Sequence, residues 1–165
     1  MVDLQVFTVV FFGEKHLKNK SRVTEQIREQ ALYLIRQRQF IEFLVGRNSD
    51  FDLCAAAAVT RAQKDHRPLN SALVLVLPYV TAEFLYNEET LYDHYTDVRI
   101  CTKATMEHPK SAVWIRNCDM VDKADLVICY AKEKQSMAWQ TMQYAHWAGK
   151  RVLNLAGNTD IEKSL

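Results

Sequence analysis

The stretch FIEFLVGRNSDFDLCAAAAV, residues 40 to 59, holds a strand, a turn and a helix in succession. FIEFLV is a short apolar run with β-branched and aromatic residues, the composition of a strand buried on both faces. LCAAAAV is a run of small side chains that lets a helix lie close against a sheet. Between them stands GRNSDFD, residues 46 to 52, with one Gly, one Arg and two Asp. A glycine between a buried strand and a helix is where α/β proteins receive phosphate, because N–H groups at a helix N-terminus favour an anion. Any strand-to-helix turn also favours Gly for its backbone freedom.

The alternation continues in both directions. LQVFTVVFF, residues 4 to 12, is a continuous apolar run that ends at Gly13. From about Asn19 to Gln39, Val23, Ile27, Ala31, Leu34 and Ile35 recur at helical spacing, with charged and amide residues between them. Phe40 to Val45 is the second strand and Phe51 to Asp65 the helix after it. SALVLVLPY, residues 71 to 79, is a third buried strand, stopped by Pro78, which cannot donate to a sheet ladder. Thr81 to Tyr95 reads as a helix, VRIC at 98 to 101 as a short strand, and Pro109 opens a helix that runs to Lys123. ADLVICYA, residues 124 to 131, is a strand, and Gln135 to Ala148 is a helix with Ala138, Met142, Ala145 and Ala148 on one face. Gly149 caps that helix and RVLNLA follows as the last strand.

Strands alternating with helices imply right-handed crossovers and a parallel sheet covered on both sides. The expected architecture is α/β, a Rossmann-like three-layer sandwich with a mostly parallel central sheet, in one domain spanning residues 1–165. Open sheets of this kind bind ligands beyond the carboxyl ends of their strands. Those ends are Gly13-Glu14-Lys15, Gly46-Arg47-Asn48, Pro78-Tyr79 and the segment from Ala131 to Ser136, and two of the four Gly in the chain lie there.

Composition narrows the function classes. Hydrophobic residues make up 48% and charged residues 25%, as in soluble globular proteins. The net charge of +1 argues against a large electrostatic footprint, so no nucleic-acid partner is expected. Lys15, Lys18, Lys20 and Arg22 gather near one helix start, but Glu25 and Glu29 follow, the pattern of a solvated face. Met-Val-Asp leads straight into a strand pattern without a basic or cleavable apolar leader, and no apolar run reaches membrane-spanning length. A cytoplasmic location and no membrane partner are the expectation. Cys54, Cys101, Cys118 and Cys129 form no C-x-x-C pair, and His16, His66, His94, His108 and His146 have no metal-type spacing. No G-x-G-x-x-G occurs, so no dinucleotide fingerprint and no cofactor is implied. A phosphoacceptor receiver needs acidic residues where this chain has Phe-Phe-Gly and Pro78-Tyr79.

Five segments together carry a likeness: FFG at 11 to 13, VGRNSDFD at 45 to 52, LVLPY at 75 to 79, RNCDMVDKADLVICY at 116 to 130 and WQTMQYAHWAGKRVLNL at 139 to 155. In this order they resemble the SLOG superfamily, and more narrowly the small stand-alone SLOG proteins of Firmicutes. There the segments run approximately as FFGHR, GGNxGFD, a strand ending in LPY, RNRxMVDxSD and GGxxxTxxYAxxxGKxVxNL. The resemblance implies a Rossmann-like domain associated with nucleotides or nucleotide-derived ligands. It also implies a pocket lined by Gly13 to Lys15, Gly46 to Asn48 with Asp52, Arg116 with Asn117, and the loop around Ser136. Arg suits a phosphate there, because it can donate two parallel hydrogen bonds.

The departures bear on what the pocket takes. The family's His-Arg after the first Gly is Glu14-Lys15, placing a negative charge near the expected phosphate. Arg47 and Asp50 stand at two Gly positions of the second segment, where positive φ is unfavourable for them. The Gly pair of the last segment is Ser136-Met137. Asp52 is suited either to cap the helix or to receive a ribose hydroxyl. The Lonely Guy phosphoribohydrolases of the wider superfamily carry PGGxGTxxE, against KQSMAWQTMQ at residues 134 to 143 here, so that hydrolysis is not implied. The expected function is binding or sensing of a small nucleotide-like anion without efficient catalysis, Arg47 and Lys15 supplying charge that backbone amides supply elsewhere. The alternatives are an interaction module that self-associates as a homo-oligomer, and a nucleotide-processing hydrolase. Tyr86, Tyr92, Tyr95, Trp139 and Trp147 would favour self-association if they formed one exposed patch.

Overall fold

The computed structural model describes residues 3–157; the remaining ends of the expected single domain lie outside the described residues. Strands and helices alternate throughout: β1 (Val6–Gly13), α1 (Lys20–Gln37), β2 (Phe40–Val45), α2 (Asp50–Lys64), β3 (Ser71–Leu77), α3 (Ala82–His94), β4 (Asp97–Ile100), α4 (Pro109–Lys123), β5 (Leu126–Tyr130), α5 (Met137–Trp147) and β6 (Val152–Asn154). The sheet has the order β4-β3-β2-β1-β5-β6, and every pairing in it is parallel. The expected α/β three-layer architecture is the one observed.

Period-two alternation along each strand divides the core between the two faces of the sheet. Val9 and Phe11 join Ile27, Leu34, Phe43, Phe51 and Val59 under α1 and α2, with Leu91 of α3 on the same side. Val10 and Phe12 join Leu44, Met120, Val127 and Ala145 under α4 and α5. Buried on both faces, the centre of β1 has no room for polar residues, which is why VVFF is unbroken. Phe11 stacks on Phe43 with ring centroids 5.9 Å apart, and Phe51 tilts against the same ring at 6.4 Å.

The chain runs outward from β1 through β2 and β3 to β4, then returns across the sheet through α4 to β5. Strand order therefore reverses between β1 and β5, and the crevice of the fold opens beyond their carboxyl ends. Gly149, with φ of 73°, ends α5 in the left-handed region, and the Lys150 N–H closes the turn onto the Ala145 carbonyl at 2.9 Å. Among the described residues no helix is long and apolar enough to cross a membrane.

Exposed aromatics do not converge. Tyr86 (78% exposed) and Tyr92 lie on α3 at the β3–β4 end of the sheet, whereas Trp147 (81% exposed) lies on α5 at the β5–β6 end and on the opposite face. Tyr95 is buried.

Candidate functional site

A cavity of about 530 Å³ lies at the carboxyl ends of the strands, at the point where the order reverses. Its lining includes Gly13, Glu14 and Lys15 after β1, Gly46, Asn48 and Asp52 after β2, Tyr79 after β3, Arg116 and Asn117 on α4, and Ser136 before α5. Arg47 and Pro78 are not in the lining. The structure thus gathers most residues singled out in the sequence, across four strand ends.

The turn after β2 is held by its own side chains. Ser49 is the N-cap of α2, its Oγ accepting from the Asp52 N–H at 3.0 Å. Asp52 Oδ2 accepts from the N–H of Asn48, the residue before the cap, at 2.9 Å. Asp50, at a family Gly position, ties two loops together: its N–H donates to the Lys15 carbonyl at 2.9 Å and its Oδ2 accepts from the Leu17 N–H at 3.0 Å. That N–H, chiefly, holds the Asp50 carboxyl below its ordinary value. No non-glycine residue among those described has positive φ, and neither Gly13 nor Gly46 does. Arg47 and Asp50 are tolerated because the turn needs no left-handed residue.

Gly46 is there for a different reason: a Cβ on it would lie 2.8 Å from Nη1 of Arg116. The Arg116 guanidinium, 2% exposed, lies against that backbone and donates from Nε to Asn117 Oδ1 at 3.0 Å, from Nη1 to the Val76 carbonyl at 2.9 Å and from Nη2 to Asn48 Oδ1 at 2.9 Å. Two of the five guanidinium N–H groups have no protein acceptor among the described residues. Burial lowers its pKa from a very high starting point, so the group stays cationic. Burial likewise raises the Asp52 carboxyl above the usual carboxylate range, against the pull of Arg116. Asn117 reaches on to Thr141 Oγ1 at 3.4 Å.

Arg47 turns away from the cavity. Nε and Nη2 pair with the two carboxylate oxygens of Glu83, each at 2.9 Å, and Nη1 donates to the Tyr95 hydroxyl at 3.0 Å. It anchors α3, and the charge expected from it in the pocket is absent. Pro78 is buried and does not line the cavity.

Glu14 is buried, 8% exposed, and its Oε1 accepts from the Lys132 and Glu133 N–H groups, each at 2.8 Å. Ser136 caps α5, Oγ accepting from the Trp139 N–H at 3.1 Å. The cations left for a ligand are Arg116 on the floor and the exposed Lys15 and Lys110 at the rim. Lys110 was missed in the sequence, together with the lining residues Phe12, Ser49, Pro109, Val113, Met120, Met137 and Ala138. A helix following a parallel strand begins at the carboxyl edge of the sheet, so the first turns of α4 and α5 had to face the crevice. The lining has no His or Cys, and both Ser hydroxyls that line it act as helix caps.

A doubly covered parallel sheet with its crevice at the β1–β5 reversal is a Rossmann-like fold, and solved structures of DNA processing protein A share it. DNA processing protein A from Streptococcus pneumoniae superimposes with a TM-score of 0.64 at 16% identity, over 89% of this chain and 49% of that one. The Helicobacter pylori protein, in a structure concerned with its single-stranded DNA binding mode, gives 0.60 at 14% identity, over 88% of this chain and 63% of that one. The chain thus spans about half to two thirds of these neighbours. No protein-family model and no curated protein matches the chain. The expectation that nucleic acid is not a partner is overturned: a neighbour with this fold binds single-stranded DNA. Total charge averages over the whole surface and says little about a few cations around one crevice.

Proposed function

We propose that this chain is a non-catalytic binding module whose crevice takes one nucleotide unit. The observation that carries the reading is the buried Arg116 guanidinium, with two uncommitted N–H donors, on the floor of a cavity of about 530 Å³. That volume lies within the roughly 300–1,000 Å³ typical of small-molecule sites. Arg116 and the rim lysines Lys15 and Lys110 receive the phosphate, and Tyr79 offers a ring face to the base.

A second reading places that unit within a single strand. It is supported by the likeness to the Helicobacter pylori protein and by the exposure of Lys15 and Lys110, where a backbone would continue out of the crevice. Fluorescence anisotropy of a labelled oligothymidylate, competed by thymidine monophosphate, separates the two. In the strand reading the oligonucleotide binds more tightly than the mononucleotide. Replacing both lysines by Ala then lowers affinity and reduces the salt slope by about 1.4 for two lost phosphate contacts. Absence of binding to either probe at low salt would sink both readings.

A further inference from the structure

At the β1–β5 reversal, two consecutive backbone N–H groups, of Lys132 and Glu133, converge on a single oxygen at 2.8 Å each. Successive N–H groups pointing to one spot form an anion-binding nest. Here the anion is supplied by the chain itself. Glu14 stands directly beyond β1, 118 and 119 positions away in sequence from the residues it accepts from, and its N–H is fixed to the Tyr130 carbonyl at 3.0 Å. Glu14 is 8% exposed as a residue, and Oε1 takes both N–H groups. No protein donor among the described residues bonds to Oε2, although Glu14 lines the cavity.

Building on the nucleotide-unit reading, we infer that Glu14 is the specificity-determining residue of the crevice. Its carboxylate occupies the nest that a ligand phosphate would otherwise fill, and its second oxygen accepts from a sugar hydroxyl or an amino group. The crevice is thereby polarised. Phosphate is restricted to the side of Arg116, Lys15 and Lys110, and the neutral, donor-bearing end of the ligand faces β5. A ligand with phosphate at both ends is disfavoured, because its second anion would lie beside the Glu14 carboxylate.

The test uses two variants. Glu14→Gln keeps an oxygen for both N–H groups and removes the charge; Glu14→Ala empties the nest. Circular dichroism confirms that each is folded. Inorganic phosphate is then titrated while the amide resonances of Lys132 and Glu133 are followed by NMR. In the wild-type protein these two amides stay in place; in Glu14→Ala they shift, with phosphate affinity raised at least about tenfold, the scale of one hydrogen bond to a charged group. An equal response of the two amides in wild type, or none in folded Glu14→Ala, overturns the inference. Thymidine supplies the second arm: Glu14→Gln weakens it while leaving thymidine monophosphate the tighter ligand. Equal thymidine affinity in Glu14→Gln and wild type removes the role of Oε2. If neither thymidine nor its monophosphate binds the wild type, the nucleotide reading fails, whereas the phosphate response at Lys132 and Glu133 still decides what fills the nest.

Discussion

At the scale of single residues, Gly13 and Gly46 show how a correct signal can rest on the wrong cause. Both are legible in the sequence as punctuation at strand ends, and conformational freedom is the ordinary reason for such glycines. The structure gives each a partner instead: a Cβ on Gly13 would lie 2.3 Å from Cγ of Phe51, and one on Gly46 would strike the Arg116 guanidinium. These partners lie far along the chain, so no local pattern names them. Phe51 is fully buried and cannot withdraw. Gly13→Ala is therefore expected to lower the free energy of unfolding in urea by about 1–3 kcal/mol, the range for an overpacked core. A midpoint equal to that of wild type would show that α2 shifts freely. Asp52 supplies a prediction with the opposite character, since burial raises its native pKa above the unfolded value. Between the ordinary carboxylate value, about 3.9, and the raised native one, the folded state holds more protons than the unfolded state. Stability thus falls as pH rises through that window. Asp52→Asn still offers an oxygen to the Asn48 N–H and removes the titration, so its stability should be flatter across the same window. Parallel profiles for variant and wild type would place the raised pKa elsewhere.

At the scale of elements, periodicity located every helix and strand among the described residues, because hydrophobic spacing and the flanking Gly, Pro, Ser and Thr act locally. What it misjudged was the content of a face. Val23, Ile27, Ala31, Leu34 and Ile35 trace the apolar stripe of α1, and Gln30 sits within it, three residues after Ile27 and four before Leu34. Its polarity marks it as solvent-facing, yet it is fully buried and neither amide atom has a hydrogen-bond partner among the described residues. A buried polar group without a partner costs about 1–3 kcal/mol. Gln30→Met keeps a flexible chain of similar length without the amide, and is expected to raise stability by about 1–2 kcal/mol in denaturant unfolding. A loss of stability would mean that the amide is hydrogen-bonded in solution. The same element-level geometry explains Lys110: its place in the first turn of α4 follows from the direction of the parallel crossover, a property of the fold rather than of nearby residues.

At the scale of the whole molecule, the sequence implies a parallel sheet but not its order, since order depends on which strands meet across long separations. The reversal between β1 and β5 brings Glu14 to Lys132 and Arg116 to Asn48, and sends Arg47 the other way, toward α3. The order also distributes stability unevenly. α1 and α2 each bury a row of side chains in the larger core, whereas α3 buries Leu91 alone and is broken by non-helical geometry at Asn87. Leu91 and the partly buried Phe84 hold α3 to the body, together with the bidentate Arg47–Glu83 pair and the Arg47–Tyr95 hydrogen bond. Hydrogen exchange should therefore resolve two regimes, with α3 amides opening locally at low free energy and β1 and β2 amides exchanging only with global unfolding. Arg47→Ala should accelerate exchange in α3 by up to about fivefold, the upper range for a partly exposed ion pair. Exchange in β1 should rise only as far as global stability falls. Because Tyr79 lines the cavity two residues before the N-cap of α3, Thr81, the same opening is expected to widen the crevice on the side proposed for the base. A nucleotide stacked on Tyr79 should accordingly slow α3 exchange in the wild type. Equal opening free energies for α3 and β1 would make the molecule one cooperative unit.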